Sequence, residues 1–188
     1  METLAEAAKA YRGKGYTCAE SVFLAANKVW DLGYADDLSP IMAGFGGGMH
    51  CGEVCGAISG GIAAMGLKYC GGNGHNSPLL SIKCNLFVTT VRERAGHIRC
   101  DELGPIFRTE EEDCDPTVVM IAKILEEVDA LEVDVPEVVD YDLRYPPAGK
   151  PGFREMFEQA KEKLARTSSA VALNADRDDL VRGGRPMA

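Results

Sequence analysis

The sequence predicts an all-α protein: a compact helical domain, then an extended, proline-containing arm and a C-terminal helix. Three observations lead there. Apolar residues recur at helical spacing in four separate stretches, no segment alternates apolar and polar residues as a half-buried strand does, and glycine or proline punctuates the chain between them. With 188 residues the chain can bury one substantial core but not two. The division is a helical domain over residues 1–130 and an extension over 131–188.

In chain order, the first stripe is Val22, Ala25, Ala26 and Val29, opened by Thr17 as N-cap with Cys18 in the first turn. Then comes "GFGGGMHCGEVCGAISGG", residues 44–61, with eight glycines and two cysteines. Glycine admits left-handed backbone and close approach at an entropic cost, so such density must serve something. It leads through the longest apolar run, 14 residues over 54–67 broken by four glycines and a serine. That is well short of the ~20 residues a membrane helix needs, and it reads as a buried helix. Gly56, Ala57, Ser59, Gly60, Gly61, Ala63 and Ala64 leave little side chain on it, so another helix or a symmetry mate can pack closely. Such packing offsets the ~1 kcal/mol that each helical glycine costs against alanine.

Leu80, Cys84, Phe87, Val88 and Val91 mark the second stripe, and "CDEL" from Cys100, after a break at Gly96, signals a short helix. Val118, Ile121, Leu125 and Val128 form the third, with Asp115 as cap and Pro116 as first helical position. Residues 132–152, "EVDVPEVVDYDLRYPPAGKPG", carry four prolines and no helical period, which predicts the arm. Within it "EVDVPEVV" reads as a short edge strand, since Pro136 argues against a central one. Pro151 and Gly152 then introduce the fourth stripe, Phe153, Met156, Phe157, Ala160 and Leu164. The polar tail from Thr167 is predicted to be loose.

Twenty Lys and Arg against 29 Asp and Glu give a net charge of −9. That charge repels phosphate backbones and anionic lipid, which argues against nucleic acid and membrane as partners. The N-terminal segment lacks the basic start, apolar stretch and cleavage site of a signal peptide, so a cytoplasmic location is expected. In that reducing compartment seven cysteines point to metal binding, catalysis or burial rather than disulfides, and an odd number cannot pair completely.

Helix position sorts the seven. A helix N-terminus favours thiolate and offers N–H groups to bound sulfur. Cys18, Cys55, Cys100 and Cys114 fall at such places and are the functional candidates. Cys84 lies on an apolar face and reads as core, and Cys70, at a helix end, reads as structural. Cys51 stands four residues before Cys55, a bystander or a spare metal ligand. The acids around Cys114 in "TEEEDCD" would raise a free thiol's pKa, which favours ligand over nucleophile because a bound cation reverses that effect. Intervening lengths of 36, 44 and 13 residues match no compact zinc ribbon. The glycine loop fits no nucleotide fingerprint, having no G-x-x-x-x-G-K-[ST] and no strand feeding it. Its N–H groups, at Gly46, Gly47 and Gly48 with Gly56 beyond, can instead face whatever the sulfurs hold. The plain alternative is a glycine-rich turn before a packing helix, with no ligand at all.

In order along the chain, Cys18 within "GYTCAESVFLA", the loop "AGFGGGM", "CGAISGG" from Cys55, "IRCDELG" around Cys100 and the later Cys114 resemble the C_GCAxxG_C_C family of redox-active proteins. The resemblance spans about residues 10–130. It implies a small helical redox protein whose matching cysteines are Cys18, Cys55, Cys100 and Cys114. The same module occurs in split-Soret-type c cytochromes beside an iron–sulfur centre. Here no C-x-x-C-H is present, and His50, His75 and His97 follow no cysteine pair, so covalent haem is not expected.

The leading expectation is therefore an iron–sulfur cluster, [2Fe–2S], held by Cys18, Cys55, Cys100 and Cys114, with Cys51 in reserve, passing single electrons to a redox partner protein. Two others stand beside it: a thiol–disulfide or persulfide-handling oxidoreductase, and a structural zinc site or ligand-free helical dimer. A homodimer is expected from the small-residue helix and from the resemblance.

Overall fold

The computed structural model describes residues 1–34, 38–74, 77–135 and 153–169. Eight α-helices and no strand are found among them. Helix α1 (Leu4–Arg12) begins at Thr3, whose hydroxyl accepts from Glu6 N–H while the Glu6 carboxylate accepts from Thr3 N–H. Thr17 and Glu20 repeat this reciprocal cap at the head of α2 (Cys18–Val29), satisfying two N–H groups that a helix end leaves bare. A short helix, α3 (Pro40–Ala43), leads into the glycine loop.

Helix α4 (Gly56–Tyr69) is apolar around its circumference and is accordingly buried against several neighbours. It packs most closely on α2. A methyl group on Gly60 would strike the carbonyl of Ala19, and one on Gly61 would lie 2.9 Å from the Phe87 ring. Gly60 and Gly61 are thus taken up by contacts inside the chain, whereas a methyl on Gly66 would meet nothing within 4 Å.

Helix α5 (Pro78–Ala95) starts with proline in its first turn and stops at Gly96, which is left-handed at φ 81°. Helix α6 (Cys100–Phe107) follows, then α7 (Asp115–Ala130) and α8 (Phe153–Ser169). Helix α1 lies across α2 and α7, α5 joins α4 to α7, and α8 rests on α5 and α7. Leu24, Ile58, Met65, Leu86, Phe87, Ile121 and Leu125 fill the core, and Met156, Ala160 and Leu164 of α8 are buried in the same cluster.

Residues 132–135 of the expected edge strand form no strand. The remainder of that stretch, the rest of the arm and the tail beyond 169 lie outside the described residues, while Thr167 belongs to α8. No described helix is long and apolar enough to cross a membrane.

Candidate metal centre

All four cysteines chosen by position do stand at helix starts. Cys18 and Cys100 open α2 and α6, whereas Cys55 and Cys114 occupy the N-cap positions of α4 and α7. The α7 cap is therefore one residue earlier than expected, with Asp115 already helical. The four side chains line one cavity of ≈ 240 Å³ together with Gly46, Gly47, His50 and Leu103.

The cysteines arrive as two pairs. Cys55 and Cys100 are set side by side by an isolated antiparallel bridge between Val54 and Arg99. Cys55 N–H donates to Ile98 O at 2.9 Å, and Cys100 N–H donates to Glu53 O at 2.7 Å. On the outer face Arg99 pairs with Glu53 at 2.5 Å and with Asp101 at 2.7 Å. Cys18 and Cys114 form the other pair, both lining the cavity and near enough for each to shift the other's ionisation. Their mutual interaction draws Cys18 down toward thiolate and pushes Cys114 up.

Backbone N–H groups also favour anionic sulfur here. Gly47 and Ala19 donate to Cys18, and the Arg12 charge adds to the effect, all against the cost of burial. At Cys55 burial wins: although Ala57 and Ile58 donate to it, the thiol is pushed up to about 12. Burial raises Cys100 as well, with the Cys18 charge the next cause. Two pairs in one cavity thus differ in how readily each would be deprotonated.

Glycine lets the walls close in. A Cβ on Gly56 would lie 2.6 Å from Cys18 Sγ and 2.7 Å from Phe45 O, and one on Gly48 would lie 2.7 Å from Cys100 Cβ. Gly46 and Gly47 line the cavity itself; Gly48 and Gly56 stand behind its sulfurs. Around Gly47 the backbone does something the sequence did not announce. Gly47, Gly48, Met49 and His50 are all left-handed, with φ of 60°, 63°, 59° and 57°. For Met49 and His50 that geometry costs ~1–2 kcal/mol each, strain of the kind that collects at functional sites.

Cys51 is exposed, lies outside the cavity lining and directs its thiol to Gly48 O at 3.5 Å. Cys70 caps the end of α4 and accepts from the Ser77 hydroxyl. Cys84 faces apolar neighbours, where burial pushes its thiol up to about 12. His50 borders the cavity, but its ring nitrogen is engaged with Ala43 O at 3.2 Å. His75 lies outside the described residues. Arg12, Arg108 and Asp113 also line the cavity and were not singled out from sequence, and Thr17, read there only as a helix cap, lines it too. The T-x-x-E signature at Thr3 and Glu6 was legible and would have placed Arg12 in the last turn of a helix.

The donor set suits a polynuclear centre. Four thiols lining one cavity, two of them, Cys18 and Cys55, with N–H groups directed at them, are a ligand set that an iron–sulfur cluster can use. No three or more His, Cys, Asp or Glu among the described residues gather closely enough to hold a single ion. A [2Fe–2S] cluster would ask for only two thiolates at each iron.

An all-α chain with four cysteines facing one glycine-walled cavity defines the class of protein. Residues 16–128 match the family described as "Putative redox-active protein (C_GCAxxG_C_C)". The chain belongs to this family, and a redox role is the function that follows. Comparisons with curated proteins and with solved structures gave no match.

Proposed function

We propose that the cavity holds an iron–sulfur cluster, [2Fe–2S], on Cys18, Cys55, Cys100 and Cys114, and that the protein passes single electrons to a partner protein in the cytoplasm. The observation that carries this reading is the convergence of four cysteines from four different helix starts on one cavity of ≈ 240 Å³. Bound there, a cluster would supply one-electron chemistry at a potential set by its surroundings. The chain would supply four thiolates, N–H donors from Gly47 and Ala19 to Cys18 and from Ala57 and Ile58 to Cys55, and an inner wall of buried Leu103, Thr117 and Val118. Arg12 adds positive charge beside the Cys18 and Cys114 sulfurs.

Anaerobic purification followed by iron, acid-labile sulfide and visible absorption measurements tests the proposal. Iron and sulfide in equal amounts, with charge-transfer absorption, are expected. A colourless protein that stays metal-free after reconstitution with iron and sulfide overturns it, as does stoichiometric zinc.

The Cys18–Cys114 contact favours one alternative, a thiol–disulfide protein. Two thiols would give up two protons and two electrons to an acceptor disulfide and become one disulfide. Mass mapping after mild oxidation of metal-free protein, then reduction, shows whether that pair cycles specifically. The homodimer stays a proposal, to be tested by light scattering; Gly56, Gly60 and Gly61 are used inward, which leaves Ser59, Ala63 and Gly66 as the small residues of α4 open to a mate.

A further inference from the structure

We infer that Arg12 is a positioning residue for this cavity, its guanidinium holding Cys18 and Cys114 face to face by tying together the two turns that carry them. The inference rests on the four-cysteine cavity being the working site. Arg12 Nη1 donates to Tyr16 O at 3.0 Å, two residues before Cys18. Its Nε donates to Asp115 Oδ1 at 2.8 Å and its Nη2 to Asp113 Oδ2 at 3.0 Å, so it grips the residues on both sides of Cys114. One side chain thereby spans segments 101 and 103 residues apart in sequence.

Acceptors met separately by Nε, Nη1 and Nη2 suit the rigid planar fork of a guanidinium, which the single nitrogen of a lysine cannot reproduce. The group is only 16% exposed, so these charge-assisted bonds are less screened than those of a surface pair. Asp113 itself is left-handed at φ 52°, and it also accepts from Arg108 at 2.5 Å. Thr109 N–H donates to Asp113 O at 3.0 Å, which completes a tight turn before Cys114. A turn so shaped presents both aspartates to Arg12.

The arrangement has a counterpart in the other pair. Cys55 and Cys100 are registered by backbone hydrogen bonds across the Val54–Arg99 bridge. Cys18 and Cys114 have no backbone bridge between them, and the Arg12 fork takes its place. Arg12 also lies outside the 16–128 span of the family match, so this device belongs to α1 rather than to the matched segment.

The test uses full-length, metal-free protein equilibrated in glutathione redox buffers, with the Cys18–Cys114 disulfide quantified by mass mapping. Each bridge formed consumes one oxidised glutathione and releases two reduced ones. The unaltered protein is expected to form this bridge ahead of any other, and failure to form it overturns the inference. Arg12→Gln is expected to lower its equilibrium constant ~10-fold or more, on the scale of losing charge-assisted hydrogen bonds. Alkylation rates of Cys55 and Cys100 should stay within about twofold, a split that general loosening would not produce. Arg12→Lys keeps the charge but not the fork and should behave like Arg12→Gln; full recovery by lysine would mean that charge alone matters and would sink the inference. Lys9→Gln, which removes the exposed ion pair from α1 to Glu112 in the same loop, should change nothing. If Arg12→Gln does not fold, Asp113→Asn removes one arm with α1 intact, and an unchanged constant there is decisive against the clamp. Because no metal is present, failure here is separate from failure of the cluster reading, which the iron and sulfide analysis decides.

Discussion

Substituting the glycines of α4 one at a time gives a sharp test of how the small-residue helix works. At Gly66 an added Cβ meets nothing within 4 Å, so Gly66→Ala should simply collect the helix-propensity gain of ~1 kcal/mol. At Gly60 the same methyl overlaps the Ala19 carbonyl and lies 3.0 Å from its carbon and 3.3 Å from its Cα, all backbone of α2. Backbone cannot rotate away, so α2 must retreat, and overpacking of this sort costs ~1–3 kcal/mol. Taking the upper end and subtracting the propensity gain leaves Gly60→Ala ~2 kcal/mol less stable than the unaltered chain. Gly61→Ala falls between, since its neighbours, 2.9 and 3.0 Å away on Phe87 and 3.2 Å away on Leu125, are side-chain ends that can shift. The ~3 kcal/mol span between the extremes should separate the urea midpoints of Gly66→Ala and Gly60→Ala by roughly 1 M or more. If Gly60→Ala moves the midpoint upward alongside Gly66→Ala, the helices do not touch where the structure places them, and the packing argument is wrong.

Three more outcomes are expected. Single serine replacements of Cys18, Cys55, Cys100 or Cys114 should abolish or strongly reduce iron retention after reconstitution, whereas Cys51→Ser and Cys70→Ser should retain it; equal loss across all six would refute the sorting. Met49→Gly should raise stability by ~1 kcal/mol by relieving the left-handed strain, part of which the added chain entropy cancels, as read by thermal unfolding. Lys83, 2% exposed, donates to the Val128, Asp129 and Leu131 carbonyls at the end of α7, so Lys83→Met should cost ~1–3 kcal/mol through three orphaned acceptors. Burial lowers the Lys83 pKa from 10.5 to about 8, so between those values the unfolded chain binds the extra proton and stability rises with pH. The advantage of the unaltered protein over Lys83→Met should therefore grow from pH 8 to 10.

What the sequence disclosed was local chemistry. Thr17, the break at Gly96 and Pro116 mark helix ends within a few residues of themselves, and Cys18, Cys100 and Cys114, placed by those marks, do stand at helix starts. The fourth stripe became α8 for the same reason, a repeating apolar face that needs a core to lie on. Hidden were the features that depend on distant partners. Arg12 is an unremarkable basic residue until Asp113 and Asp115 arrive, and Lys83 sat within an apolar stripe with nothing to show that α7 would end on its amine. The left-handed run was hidden differently: Gly47 and Gly48 permit it, but Met49 and His50 disfavour it, so only surrounding structure can impose it.

The wide sequence separations within the cavity bear on when it can come into being. A chain growing from its N-terminus holds α1, α2 and the glycine loop long before Cys114 and α7 have been made, and the loop joining Arg12 to Asp115 is then still open. Until α7 emerges and docks, half the sulfur faces no partner. Any occupant must therefore be delivered to a chain already synthesised past α7, at a stage when most of the core is able to form. Loading of a cluster, if one binds, would thus be a late handover onto a nearly finished scaffold rather than a seed around which the polypeptide condenses.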